Sequence, residues 1–297
     1  MTTPTRPGID VWIQAARPWT LGVAVSPVFL GTIIAHTEGG IQWLAAVAAL
    51  LGGIFIQIGT NLANDYFDFK KGADTASRVG PQRVTQSGLI APGTVRNGFI
   101  ASFGISFLLG IYLVYVGGWP IVVIGLLSLL LGFIYTGGPF PLAYHGLAEL
   151  PAFLFFGPIA CATTTYVQTG IWSIPSLIAG ASAGFFSVAL LSINNLRDYQ
   201  EDRKVGKHTL IAIFGRRFGI FEYGLSILIA TLLPLILIII APDHIMIGIT
   251  AISSLMALHA LRITVNYKES SELYAVLKMT SKLQIIFTVI FMISWVI

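Results

Sequence analysis

Apolar residues recur along this chain in blocks of roughly twenty, the length at which a helix crosses a hydrocarbon core about 30 Å thick. Nine such blocks are legible, at about 18–36, 41–64, 95–116, 119–136, 146–168, 174–196, 218–241, 244–264 and 280–297. Within lipid each backbone N–H and C=O must find its partner inside its own segment, so each block is expected to be helical. The pattern predicts an all-α fold: a polytopic membrane bundle of about nine transmembrane helices, organised as one membrane-embedded domain over 1–297.

Four connections are long and polar. Phe69 to Thr94 is rich in Gly, Ser and Pro and suits a mobile lid; Gly137 to Gly146 holds Pro139 and Pro141, which forbid helix. Tyr199 to Phe218 is strongly basic, and Val265 to Thr280 includes an amphipathic stretch suited to the membrane surface. An echo links the ends of the second and sixth blocks, NLANDYFD (Asn61 to Asp68) and NNLRDYQED (Asn194 to Asp202). At helical spacing Asn61, Asn64, Asp65 and Asp68 form one stripe, and Asn194, Asp198 and Asp202 form another.

Composition agrees with a membrane as solvent. Of 297 residues 55% are apolar and 10% charged, with a mean hydropathy of +0.82, a balance rare in water-soluble domains. All 17 Lys and Arg fall in the N-terminal segment or in alternate connections. Basic residues accumulate in cytoplasmic loops, so the N terminus and both acidic stripes are expected at the cytoplasmic face of the cell inner membrane, with the C terminus outside. The pI near 9.2 then calls for no nucleic acid; it fits an anionic leaflet. Cys161 is the lone cysteine, which leaves neither a disulfide framework nor a thiolate metal cluster. The first block follows Arg17-Pro18 and lacks a small-residue cleavage site, arguing against a removed signal peptide.

Carboxylates near a membrane interior are costly and mark a pathway, a cation site or a proton relay. Two matched stripes suggest a shared cation, and carboxylate and amide oxygens are hard ligands suited to Mg²⁺ with room left for phosphate oxygens. A diphosphate fits between them. Lys70, Lys71, Arg78 and Arg83 on one side, and Arg197, Arg203, Lys204 and Lys207 on the other, are placed to hold the remaining phosphate charge. The bland alternative is helix ends pairing with nearby basic side chains, and for any single basic residue a topology signal alone is an equal reading. A cation- or proton-coupled transporter also sets carboxylates at helix ends, although it calls for acids near the midplane, where these blocks carry almost none.

Further candidates are less specific. Asp74 lies just beyond the first stripe; Arg17 either faces the site and pairs with an acidic substrate or anchors the first block at the interface. Tyr66, Tyr135, Tyr144 and Tyr199 offer π faces to a carbocation or serve as belt tyrosines. His145, His208 and Glu149 are either proton carriers or structural groups.

NLANDYFDFKKGAD (Asn61 to Asp74) with NNLRDYQEDRKVGKHTL (Asn194 to Leu210) resembles the two aspartate-rich motifs of the UbiA superfamily of intramembrane aromatic prenyltransferases. That family's first motif is usually N-D-x-x-D-x-x-x-D and its second D-x-x-x-D. Here Asn64, Asp65, Asp68, Asp198 and Asp202 match, while Gly72 stands where the third acid is usual and Asp74 follows. This departure, with RVGPQR, YTGGPFPLAYHGLAE and FLFFGP, is similar to the MenA branch, which prenylates 1,4-dihydroxy-2-naphthoate in menaquinone synthesis.

The resemblance implies nine helices around a central cavity open sideways to membrane lipid. It implies two Mg²⁺ bridging the aspartates to a polyprenyl diphosphate, and an acceptor that loses its carboxylate as CO₂. Carried over to this chain, Asp65, Asp68, Asp198 and Asp202 are the expected catalytic metal ligands, with Asp74 as an additional one. Asn61, Asn64 and Asn194 are supporting polar groups, and Lys70, Arg78, Arg83 and Lys207 are placed on the diphosphate. Arg17, Tyr135 and Tyr144 are expected to face the substrates.

Overall fold

The computed structural model describes residues 7–73 and 82–297, and among them it is helical throughout its ordered elements. A short α1 (Ile9–Ala16) breaks at Arg17-Pro18 and continues, bent by 57°, into α2 (Gly22–Glu38). The break has a local cause: Pro18 withdraws a backbone donor, and Arg17 takes a left-handed conformation with φ 53°. Next come α3 (Trp43–Lys70), α4 (Pro92–Gly117) and α5 (Trp119–Ile134). A further span is split into α6 (Glu149–Phe155) and α7 (Pro158–Thr169), followed by α8 (Ile174–Lys204) and the short α9 (Leu210–Phe214). The last third comprises α10 (Arg216–Leu232), α11 (Leu237–Ile240), α12 (Ile252–Met256), α13 (Leu258–Asn266) and α14 (Glu272–Val296), with 3₁₀ stretches between α10 and α12.

Seven of these helical stretches are long and apolar enough to cross a membrane, and the bent α1–α2 pair makes an eighth. The fourth expected block is α5, apolar but only 16 residues long. This is a multi-pass integral membrane protein.

Boundaries differ from the sequence expectation where polar residues extend a helix that hydropathy alone would end. α3 runs on to Lys70 and α8 to Lys204, so both acidic stripes are helical to their last carboxylate. α14 starts at Glu272, which turns most of the stretch expected at the membrane surface into the first turns of a span.

The largest buried cluster joins α2, α8, α10 and α14 through Leu30, Phe186, Leu196, Tyr223, Phe287 and Trp295. Lipid tails give helices no hydrophobic reason to associate, so close backbone packing and interhelical hydrogen bonds carry the assembly. Gly180 shows the first device: a Cβ there would stand 2.6 Å from the Cys161 Cβ and 2.7 Å from the Pro158 Cα, so α7 and α8 meet only over a glycine. The second device is a set of buried hydroxyl pairs, Ser26 with Thr288 and Tyr223 with Thr280, each at 2.8 Å. A separate aromatic cluster (Tyr66, Phe67, Phe99, Phe133) fastens α3 to α4 and α5.

Candidate functional site

Between these helices lies a cavity of about 530 Å³ whose polar end is lined by Arg17, Asn61, Asn64, Asp65, Arg83, Tyr135, Asn194, Asp198 and Lys207. Residues from both acidic stripes thus face one space. Phe107, Ile111, Leu126, Leu129, Phe155, Phe156 and Leu191 continue the wall in apolar side chains. Phe107, Ile111 and Leu126 remain half exposed.

Each stripe is held by partners from elsewhere in the chain. Asp65, 2% exposed, accepts the Val84 backbone N–H at Oδ2 (3.2 Å), while its Oδ1 is buried with no hydrogen-bond partner among the described residues. Asp68 accepts the Tyr144 hydroxyl at Oδ1 (2.8 Å) and the Asn64 amide at Oδ2 (2.9 Å), with Arg83 Nη2 at 3.7 Å. Asn64 also donates to Thr136 and receives Arg17 Nη2 at 3.0 Å. Asn61 donates to the Ala16 carbonyl and the Thr20 hydroxyl, tying α3 to the α1–α2 break. These contacts explain the left-handed Arg17: the bend aims its guanidinium at α3.

On α8, Asp198 is gripped by the neighbouring Arg197, Nε to Oδ1 at 2.7 Å and Nη2 to Oδ2 at 2.8 Å. Asp202 has Lys207 Nζ at 3.8 Å, and Asn194 turns its amide to the Leu190 carbonyl. Tyr144 links the two stripes, with Lys71 Nζ at 4.2 Å and Lys207 Nζ at 5.5 Å from its ring centroid.

Not every candidate reaches the site. Lys70 is exposed, its ammonium 5.3 Å from the Tyr66 ring centroid. The reason is helical phase: two residues after Asp68 lies the opposite face of α3. Its neighbour Lys71 is exposed as well but turns back to donate to the Thr136 carbonyl at 2.8 Å, and the partial desolvation of its ammonium lowers the lysine pKa. Tyr66 packs in the aromatic cluster and Tyr199 beneath the Arg203 guanidinium. His145 stacks on Phe140, and Glu149 accepts the Asn195 amide at 3.3 Å. Asp74 and Arg78 lie outside the described residues.

Sequence reading missed Gln57, a turn before Asn61 on the same stripe, which lines the cavity at 7% exposure with its Oε1 unpartnered among the described residues. Its i−4 spacing was available as a signal. Thr136 and Val84 carried none, because their roles depend on which loops approach α3.

Among the described residues no group of three or more His, Cys, Asp or Glu side chains stands close enough to hold a metal. The donor set nevertheless suits a hard divalent ion. The unpartnered Asp65 Oδ1 is a buried acceptor in want of a cation, and Asp198 faces the same cavity.

The UbiA prenyltransferase family model matches residues 24–291. The chain is 34% identical to a 1,4-dihydroxy-2-naphthoate octaprenyltransferase of Bacillus subtilis, over 75% of this chain and 71% of that one. It is 31% identical to the Mycobacterium leprae protein of that description, over 94% and 93%. A solved structure described as a UbiA homolog from Archaeoglobus fulgidus bound to DMAPP and Mg²⁺ superposes with a TM-score of 0.67, covering 94% of this chain and 98% of that chain at 15% identity. At that identity the likeness concerns the fold.

Proposed function

Because this chain belongs to the UbiA prenyltransferase family, we propose that it transfers a polyprenyl chain from polyprenyl diphosphate to 1,4-dihydroxy-2-naphthoate, releasing CO₂ and diphosphate and giving a demethylmenaquinol-type product. The observation that carries this reading is the single cavity that joins Asp65 of one stripe and Asp198 of the other to a long apolar wall.

Asp65, Asp68, Asp198 and Asp202 are assigned to Mg²⁺, which neutralises and draws off the departing diphosphate when bound. Asn64 orients the Asp68 carboxylate, Asn61 and Asn194 are supporting polar groups on the two stripes, and Arg83 and Lys207 add positive charge beside Asp68 and Asp202 for the diphosphate oxygens. Lys71 replaces Lys70 in that role. Tyr135 and the apolar wall exclude water while the allylic C–O bond breaks, its electron pair leaving on the diphosphate. The electron-rich ring then forms the new C–C bond, and loss of the carboxylate as CO₂ returns an electron pair to the ring. The isoprenoid tail lies along the apolar wall and continues into lipid. The one-sided distribution of Lys and Arg supports a cytoplasmic site in the inner membrane.

Purified protein supplied with Mg²⁺, a polyprenyl diphosphate and 1,4-dihydroxy-2-naphthoate is expected to release diphosphate and CO₂ together. Asp65→Asn and Asp198→Asn should each abolish release while leaving the protein folded in membranes, with a lower unfolding temperature in Asp198→Asn because the buried Arg197 loses its anion. Full turnover in both variants, or turnover with 4-hydroxybenzoate in place of the naphthoate, defeats the assignment.

A further inference from the structure

We propose that Arg197 receives the carboxylate of the aromatic acceptor, on the edge of its guanidinium that Asp198 does not use. This rests on the reading of the cavity as a prenyltransferase site. Arg197 is 5% exposed and lines the cavity. The guanidinium is fixed in orientation, since Nε and Nη2 both bond the Asp198 carboxylate. Its Nη1 is buried without a hydrogen-bond partner among the described residues. A buried charged donor left unsatisfied is costly, and a ligand oxygen at Nη1 removes that cost.

The choice of a carboxylate over the diphosphate follows from the surroundings. Arg83 and Lys207 stand beside Asp68 and Asp202, the outermost acids of the two stripes, where a metal-bound diphosphate belongs. The cavity that Arg197 lines is walled by Tyr135, Phe155, Phe156 and Leu191. Such surfaces stack a fused aromatic ring, whereas the cationic donors suited to a diphosphate are Arg83 and Lys207. A planar guanidinium matches a planar carboxylate as a lysine ammonium cannot. Once CO₂ has formed, the ring carries no anion for Arg197, and the product is free to leave.

The test is steady-state kinetics of the full-length protein and its Arg197→Lys and Arg197→Gln variants, with the KM of each substrate and the Mg²⁺ dependence measured separately. Loss of a charge-assisted, oriented hydrogen bond should raise the naphthoate KM by about 10-fold or more, leaving the donor KM at its wild-type value under saturating Mg²⁺, while the Mg²⁺ midpoint shifts as well because Arg197 also holds Asp198. A rise in donor KM instead, or a shifted Mg²⁺ midpoint with naphthoate KM unchanged, overturns the proposal.

Direct binding of two non-reacting probes covers a variant that does not turn over. The wild type should bind 1-hydroxy-2-naphthoate more tightly than 1-naphthol, and Arg197→Gln should erase that preference. A preference that survives in Arg197→Gln also overturns the proposal. A wild type that shows the preference without turning over the natural pair defeats the proposed function and leaves the Arg197 site standing.

Discussion

The Tyr144 hydroxyl donates to Asp68 Oδ1 at 2.8 Å, so a residue of the connection after α5 fixes a carboxylate on α3. The same ring has two ammonium groups near it, Lys71 Nζ at 4.2 Å and Lys207 Nζ at 5.5 Å from its centroid.

Removing that hydroxyl is the mildest way to loosen the first stripe. Tyr144→Phe keeps the ring and its cations but deletes a hydrogen bond to a charged acceptor, worth about 1.5–3 kcal/mol. Titrating Mg²⁺ against diphosphate release should show a midpoint raised by about 10-fold, with the unfolding temperature little changed. An unaltered midpoint would detach Tyr144 from the metal-binding carboxylates.

Arg17 couples backbone conformation to side-chain function, and substitutions separate the two. Left-handed φ costs a non-glycine residue roughly 1–2 kcal/mol, so Arg17→Gly should be about 1 kcal/mol more stable than Arg17→Ala. Both variants lose the Asn64 contact and should show the same reduced turnover. Thermal unfolding in detergent and a turnover assay read the two effects independently, and equal stabilities would show that the bend carries no strain.

Partial desolvation lowers the Lys71 pKa beneath the ordinary lysine value of 10.5, Lys207 adds to the effect, and Asp68 opposes it. Between the folded and unfolded values the unfolded chain holds more protons, so stability rises with pH across that alkaline window. Lys71→Met should flatten the alkaline slope of unfolding temperature against pH. An identical slope in wild type and variant would contradict the partial desolvation of Lys71.

Gly180 tests the assembly rather than the chemistry. Gly180→Val places side-chain atoms where Cys161 and Pro158 already stand, and overpacking of this kind costs about 1–3 kcal/mol or more. The expected result is a lower yield of folded protein in membranes, with the site residues themselves untouched.

How far the sequence discloses this protein depends on whether the relevant distance is local. The stripes on α3 and α8 are legible because four-residue spacing in a helix is fixed geometry, and the surrounding apolar residues set the polar ones in relief. Gln57 belonged to the same pattern and was open to the same reasoning. Lys70 is close to the first stripe in sequence, but helical phase turns it toward Tyr66. The roles of Thr136, Val84 and Tyr144 arise where loops return to α3, a relation no spacing rule encodes. The bend at Arg17-Pro18 had a visible proline, but its angle follows from packing against Asn61 and Asn64. The start of α14 at Glu272 was hidden because hydropathy registers the apolar core of a helix and not its polar first turns.

α5 has 16 residues and therefore rises about 24 Å, short of a hydrocarbon core of about 30 Å. Trp119 at its first residue is 77% exposed, as suits an interfacial anchor. A shortfall of this size is met by thinning the adjacent bilayer. α5 also walls the cavity, so a thinned bilayer would lie against the apolar side of the site. Turnover is then expected to fall as the acyl chains of the host membrane lengthen, without any change at the aspartates.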